Sequence, residues 1–394
     1  MPLRKNLVTL AACTALAVLA ACGGSDDGDN DGERSVTSLR LIGQQVLPRR
    51  GEFQGTVVGG LSGIDYDAAN RRFVLISDDR LNSDSTTPPR IYTATLVYDA
   101  AGFTGVQFQS VVALKQPDGA VYPKVPDPAV ADPEGVRVDP TTGNWLWVSE
   151  GDRTLASGAN PARIIDPFIR EIRVDGTHVR EYTVPNMFRM SATETGPRGN
   201  LVFEGLALTP SNKRVAVITE GPLYQDGPTP TTTSGAVARV TVYDRSTGTA
   251  EAQYVYPIDR VQVASVPAGQ FSVSGATEIL ALSETRFLVL ERSFSVGVVG
   301  NQVRLYEIET ATATNVLRTP ALAGATYTPV TKRLILDFET LKAQLGGIAN
   351  LEGMTFGPKL ANGRESLVVV ADDNFPAADS ATDFNQILVF EVQP

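Results

Sequence analysis

The sequence predicts an all-β protein: a β-propeller of five four-stranded blades, or six if a loop region hides further strands. Three observations carry this expectation. One segment recurs five times at nearly constant spacing, and each copy holds short strand-like stretches separated by Gly, Pro, Asn and Asp. A spare strand also precedes the first copy, where the last copy is one strand short.

The recurring unit is a small or acidic residue followed by an alternating strand, a tight turn, a second apolar strand and acidic residues. Its copies begin Leu61-Ser62-Gly63-Ile64, Pro133-Glu134-Gly135-Val136, Phe203-Glu204-Gly205-Leu206, Thr277-Glu278-Ile279-Leu280 and Leu351-Glu352-Gly353-Met354. Counted from Gly63 through Gly135, Gly205, Ile279 and Gly353, the intervals are 72, 70, 74 and 74. A propeller blade usually takes about 40–45 residues, so these blades must carry long loops. Two more strands per unit follow, for example residues 91–98 with 106–114, 169–174 with 179–184, and 237–243 with 252–258. No helical period persists, apart from a turn near residues 341–345. The spare strand, residues 38–46, would complete the last blade and remove two open sheet edges.

Strand order fixes where side chains gather. With strands A to D counted outward from the axis, residues just before A and just after B share one mouth. The acidic positions fall there: Glu134, Glu204, Glu278 and Glu352 before A, then Asp78, Asp79, Glu150, Asp152, Glu220, Glu291, Asp372 and Asp373 after B. Ser62 departs from the pattern in the first copy. The long B–C loops, residues 80–90, 151–168, 221–236 and 374–385, lie on the same face, where binding residues commonly sit. Each carboxylate alone could be a turn-tying or capping group. A converging ring of them repels unless a cation or arginines offset it. Asp78, Asp79, Glu134, Glu204, Glu291, Glu352, Asp372 and Asp373 are candidate metal ligands, and oxygen donors suit calcium or magnesium. Glu134, Glu150, Glu204, Glu220 and Glu352 are the candidate catalytic acids, with Arg80, Arg153 or Arg292 as clamps for an anionic group.

The sole histidine, His178, falls in a C–D turn on the opposite face, which excludes Ser-His-Asp, Cys-His and His-zinc chemistry at the mouth. Catalysis would run on carboxylates, arginine and a hard metal, with no organic cofactor.

The N-terminus reads as an export signal. Arg4 and Lys5 precede an apolar run, Leu7 through Ala21, too short for a comfortable membrane span. Leu19-Ala20-Ala21-Cys22-Gly23 resembles the lipobox of bacterial lipoproteins, which implies cleavage before Cys22 and lipidation of its sulfur. The expected organisation is a signal peptide over residues 1–21, a lipidated Cys22 with an acidic, disordered tether over 22–35, and a propeller over 36–394. With Gly23 after the cysteine, the expected location is the outer membrane, held by the lipid anchor alone. Cys13 leaves with the signal, so the mature body has no cysteine to pair and must rely on core burial, for which about 350 residues suffice. Of 34 basic residues Arg4 and Lys5 are in the leader, leaving 32 against 44 acidic. Such an acidic body excludes a nucleic-acid footprint. A monomer is expected.

The motifs resemble a known family, the phytase-like or "esterase-like activity of phytase" proteins. The matching stretches are residues 61–80 and 133–152, Pro167-Phe168-Ile169-Arg170-Glu171, Phe203-Glu204-Gly205-Leu206-Ala207, Glu220-Gly221-Pro222-Leu223, Leu290-Glu291-Arg292-Ser293-Phe294-Ser295, and Asn350-Leu351-Glu352-Gly353 with Asp372-Asp373-Asn374-Phe375. Ser62 and Glu278-Ile279 are the departures. The resemblance implies a propeller with esterase or phosphodiesterase-like activity on phosphate esters, and it carries over onto Glu134, Glu150, Glu204, Glu220, Glu291, Glu352, Asp372 and Asp373. Two functions stay open: a calcium-assisted phosphoric-ester hydrolase, or a non-catalytic lipoprotein that captures a small anionic ligand or a protein partner around a structural cation.

Overall fold

Each copy of the repeat folds into one four-stranded antiparallel sheet, in a computed structural model that describes residues 33–80, 88–158 and 161–394. Blade 1 is Leu61–Asp67, Arg72–Ser77, Arg90–Tyr98 and Phe103–Ala113. Blade 2 is Pro133–Val138, Trp145–Ser149, Phe168–Ile172 and His178–Glu181. Blade 3 is Phe203–Leu208, Arg214–Thr219, Ala236–Asp244 and Thr249–Ile258. Blade 4 is Ser272–Ala281, Arg286–Ser295, Gln302–Glu309 and Thr331–Asp337. Blade 5 takes Asn350–Phe356, Ser366–Asp372 and Gln386–Gln393 from the C-terminal end and Ser38–Val46 from the N-terminal end. The count is five blades, not six. The anticipated helical turn is a single turn, Lys342–Leu345, after a 3₁₀ segment. Cys13, Cys22 and most of the tether lie outside the described residues.

The A and B strands are sandwiched between neighbouring blades, so both their faces are buried, and they read as near-continuous apolar runs such as Phe73-Val74-Leu75-Ile76. The outer strands alternate between partly buried and exposed, as in Phe103–Ala113. Core clusters lie between blades: Leu288 and Leu290 of blade 4, for example, share one with Leu367, Val369 and Phe390 of blade 5.

The closing strand pairs Ser38 with Gln393 through Val46 with Gln386, with one bulge between Leu41 and Gly43. It also links its neighbours: Gln45 Nε2 donates to Phe103 O of blade 1, and Gln44 Nε2 donates to Leu345 O after blade 4.

Near the axis the inner strands press backbone to backbone. A Cβ on Gly63 would stand 2.5 Å from Glu134 O, and one on Gly135 would stand 2.9 Å from Glu204 O. In four of the blades the recurring glycine is therefore a steric requirement. In blade 4 that position is Glu278: its ladder partner is Leu290, the counterpart of Ile76 opposite Gly63 and Val370 opposite Gly353. Aligning Ile279 with the glycines was thus one residue out. Glu278 belongs one step below the mouth, where it meets Arg137 on the axis.

Candidate functional site

The mouth is built by a bulge repeated in all five blades. The A–B register slips between Leu61 and Gly63, Pro133 and Val136, Phe203 and Leu206, Ala276 and Glu278, and Leu351 and Gly353. An extra residue on one strand bends it and re-aims a side chain. The inserted positions are Ser62, Glu134, Glu204, Thr277 and Glu352, all buried. Opposite them the B strands carry a second tier. The residues following Ser77, Ser149, Thr219, Glu291 and Ala371 are Asp78, Glu150, Glu220, Arg292 and Asp372. Seven of these ten positions are acidic, and the single cation sits among them. Arg292 Nη2 lies 2.9 Å from Glu220 Oε1 and 3.5 Å from Glu352 Oε1.

Blade 2 adds an acid without a counterpart elsewhere. Asp132 stands two residues before Glu134, where the other blades have Gly60, Val202, Gly275 and Asn350. Arg80 Nη1 reaches its Oδ2 at 2.6 Å, while its Oδ1 is buried with no partner among the described residues. One oxygen from each of Asp132, Glu134 and Glu150 falls within 4.8 Å of the others. The mouth so gathers Asp78, Asp132, Glu134, Glu150, Glu204, Glu220, Glu352 and Asp372 around Arg80 and Arg292. Neighbouring glycines make room for these side chains. A Cβ on Gly275 would lie 2.4 Å from Glu220 Cγ.

Burial is the main cause of the unusual acidity here, and mutual repulsion adds to it. Asp132 is pushed up to about 7 by burial, against the lowering pull of Arg80. Glu220 likewise rises to about 7 through burial, restrained by Arg292. Burial, then Glu204 and Asp132, raise Glu134 well above the ordinary carboxylate range; burial, then Asp132 and Glu220, do the same to Glu150. Asp78, Glu204 and Asp372 are raised in the same way. The mouth therefore holds protons tightly, and a multivalent cation can take their place.

The sequence profile of the family described as "Phytase-like: Esterase-like activity of phytase" matches residues 56–375. The chain belongs to that phytase-like family. No curated protein matches its sequence. Among solved structures, the endo-arabinase from Bacteroides thetaiotaomicron VPI-5482 aligns over 86% of this chain and 95% of its own, at 9% identity and a TM-score of 0.42. The α-L-arabinofuranosidase from Lactobacillus brevis aligns over 85% and 91%, at 10% identity and 0.40. The periplasmic gluconolactonase of Pseudomonas aeruginosa aligns over 89% and 94%, at 13% identity and 0.34.

In this phytase-like propeller several predicted site residues turn away from the mouth. Consecutive strand residues face opposite ways, so Asp79 and Asp373, each one past the second tier, point elsewhere, as does Glu291, one before it. Asp79 Oδ2 takes a bond from buried Arg90 at 2.8 Å. Asp373 accepts from Gly60 N and Asn385 Nδ2. Glu291 is held by Tyr256 and Lys332. Asp152 pairs with Arg163 at 2.7 Å. Arg153 meets no carboxylate among the described residues: it donates to the carbonyls of Ser191 and Ala192 and lies over the Tyr224 ring. The phytase-like chain thus keeps Arg80 and Arg292, but not Arg153, against the acids.

Proposed function

We propose that this phytase-like propeller hydrolyses phosphoric esters with the help of a divalent cation, calcium being favoured. The observation that carries the reading is the Asp132–Glu134–Glu150 cluster, with an Asp132 oxygen that has no partner among the described residues. An all-oxygen, irregular donor set suits calcium better than magnesium, which demands a regular octahedron. A hard cation bound there supplies Lewis acidity toward a phosphoryl oxygen and eases deprotonation of water. Arg292 and Arg80 would bind the remaining phosphoryl oxygens, and Arg292 has a buried Nε without a partner among the described residues. Glu220, raised to about 7 and touching Arg292, can hold or release a proton at its Oε atoms near neutral pH. Once deprotonated and without a cation, eight carboxylates against two guanidinium groups would repel a phosphate. We further propose that the protein works outside the cytoplasm, as a lipid-anchored monomer held at the outer membrane through Cys22.

The test is a panel of phosphomonoesters and phosphodiesters offered to the purified protein in calcium, magnesium and manganese. Turnover in calcium that a chelator abolishes is the expected result. Metal-dependent stabilisation without turnover on any ester would instead make the mouth a non-catalytic binding site around a structural ion.

A further inference from the structure

Beside the carboxylate mouth, between blades 3 and 4, lies a pocket of about 300 Å³. Glu220 and Arg292 form part of its wall. Much of the rest of its lining is apolar, Leu201, Pro222, Pro230, Phe271, Val273 and Phe294, interspersed with Asn200, Thr229, Ser272 and Ser274. Phe271 and Phe294 pack as a tilted pair with centroids 6.3 Å apart, and Phe271 remains 65% exposed. Two loops hold this wall in place: Val266 N donates to Val296 O at 2.8 Å, and Val296 N donates to Phe271 O at 3.0 Å. Four of the twelve exposed large apolar side chains among the described residues lie on these two loops, Val263, Val266, Phe271 and Val299, and Phe271 is the one that lines the pocket. That concentration is unlike the single scattered apolar residues normal on a protein surface.

We infer that the substrate is an amphiphilic phosphoric ester, its phosphate against Arg292 in the mouth and its aryl or alkyl arm in this pocket over Phe271 and Phe294. The inference rests on reading the mouth as a phosphate-ester site and specifies the substrate class. Size agrees, since an apolar cavity of about 150 Å³ already takes a benzene ring. A polyol with a phosphate on every carbon does not fit, because it would press desolvated anions against phenylalanine and proline. A membrane surface fits less well than a ligand. The two loops, residues 259–271 and 295–301, carry Arg260 as their single basic residue, so they lack the cluster that meets anionic lipid.

Non-hydrolysable probes separate the possibilities. Methylphosphonate, phenylphosphonate and hexylphosphonate are titrated calorimetrically into the purified protein in calcium. The phenyl and hexyl compounds should bind at least tenfold more tightly than the methyl one, at up to about fourfold per buried methylene. Phe271→Ser, at an exposed position and checked by its melting temperature, should erase most of that gain and leave methylphosphonate affinity unchanged. Equal affinities for the three probes would overturn the inference and leave the mouth reading standing. So would a gain that Phe271→Ser does not touch. Failure of every phosphonate to bind would overturn both. Phe271-dependent binding to phosphatidylglycerol vesicles, with no preference for the larger phosphonates, would assign the patch to a membrane surface instead.

Discussion

Arg137 and Glu278 meet on the axis of the ring, Nη2 3.0 Å from Oε2, both side chains buried. The guanidinium also donates to the carbonyls of Ile64, Val136, Ile279 and Met354, from blades 1, 2, 4 and 5. Glu278 accepts from the backbone N–H of Leu206 in blade 3 and of Met354 in blade 5. The pair ties all five blades and stoppers the channel beneath the mouth. Arg137→Ala should therefore cost about 3–5 kcal/mol, the range for stranding one member of a buried pair. Arg137→Met with Glu278→Leu should cost less than the single change, because neither charge is left alone. Urea unfolding of both variants checks this, and a more damaging double variant would show that the pair's value lies in its carbonyl contacts.

Calcium should raise the melting temperature of the wild-type protein through ligand linkage. Asp132→Asn and Glu134→Gln each remove one charge from the cluster and should weaken calcium binding at least about tenfold, with turnover falling by about 10² or more. Glu204→Gln should lower turnover in the same way. Glu291→Gln is the contrast. Its partners are Tyr256 and Lys332, so stability should fall while calcium affinity holds. Calcium affinity lost equally in the Glu291 variant would mean that the ion sits elsewhere.

The raised carboxylates predict an unusual pH profile. Asp132 and Glu220 titrate near 7 in the folded state, against about 4 when unfolded. The folded protein therefore binds more protons between these values. That contribution to stability is complete below pH 4 and disappears as pH rises through 7. Carboxylates held low, such as Asp139 at about 2, act only on the acid side of this window. In a chelator the melting temperature should fall from pH 5 to pH 8. Calcium should restore it at pH 8 and do little at pH 5, where protons occupy the same oxygens. Equal stabilisation at both values would exclude the mouth as the binding site.

Much of the mouth was legible because a propeller repeats its geometry. Glu134, Glu204 and Glu352 share one bulge position, and Asp78, Glu150, Glu220 and Asp372 share one strand end, so a repeat alignment finds them. Asp132 escaped because only blade 2 carries it, and no repeat marks a residue that occurs once. Asp79, Asp373 and Glu291 were included because proximity in sequence does not give side-chain direction; the two-residue period of the strand does. Glu278 misled through its Glu-Ile dipeptide. Counting does not repair this: Gly63, Gly135 and Gly205 stand 15 residues before Asp78, Glu150 and Glu220, but Glu278 stands 14 before Arg292, so only the pairing of Glu278 with Leu290 places it at the glycine position.

Cys22→Ser should release the protein from membranes without changing its melting temperature, because the described propeller begins beyond that residue. Fractionation of expressing cells reads the first effect, and unchanged membrane association would remove the anchor.

Closure offers the last test. The strand Ser38–Val46 hydrogen-bonds to Gln386–Gln393, and its Leu39 and Leu41 pack on the cluster holding Leu388, Phe390 and Val392. Deleting residues 36–47 would bare that apolar surface and leave Gln386–Gln393 as an open edge with unpaired N–H and C=O groups, a template for another chain. The loss would not be a frayed terminus, since Gln45 and Gln44 also bridge to blade 1 and to Leu345. The truncated protein should therefore aggregate or run as oligomers by light scattering. A synthetic peptide of residues 36–47 should restore the monodisperse species by adding back the missing strand. Leu41→Asp, which keeps the backbone ladder but buries a charge on the packed side, should lower the melting temperature and leave the oligomeric state unchanged. A truncation as soluble and stable as the full chain would mean that the ring does not depend on this strand for closure.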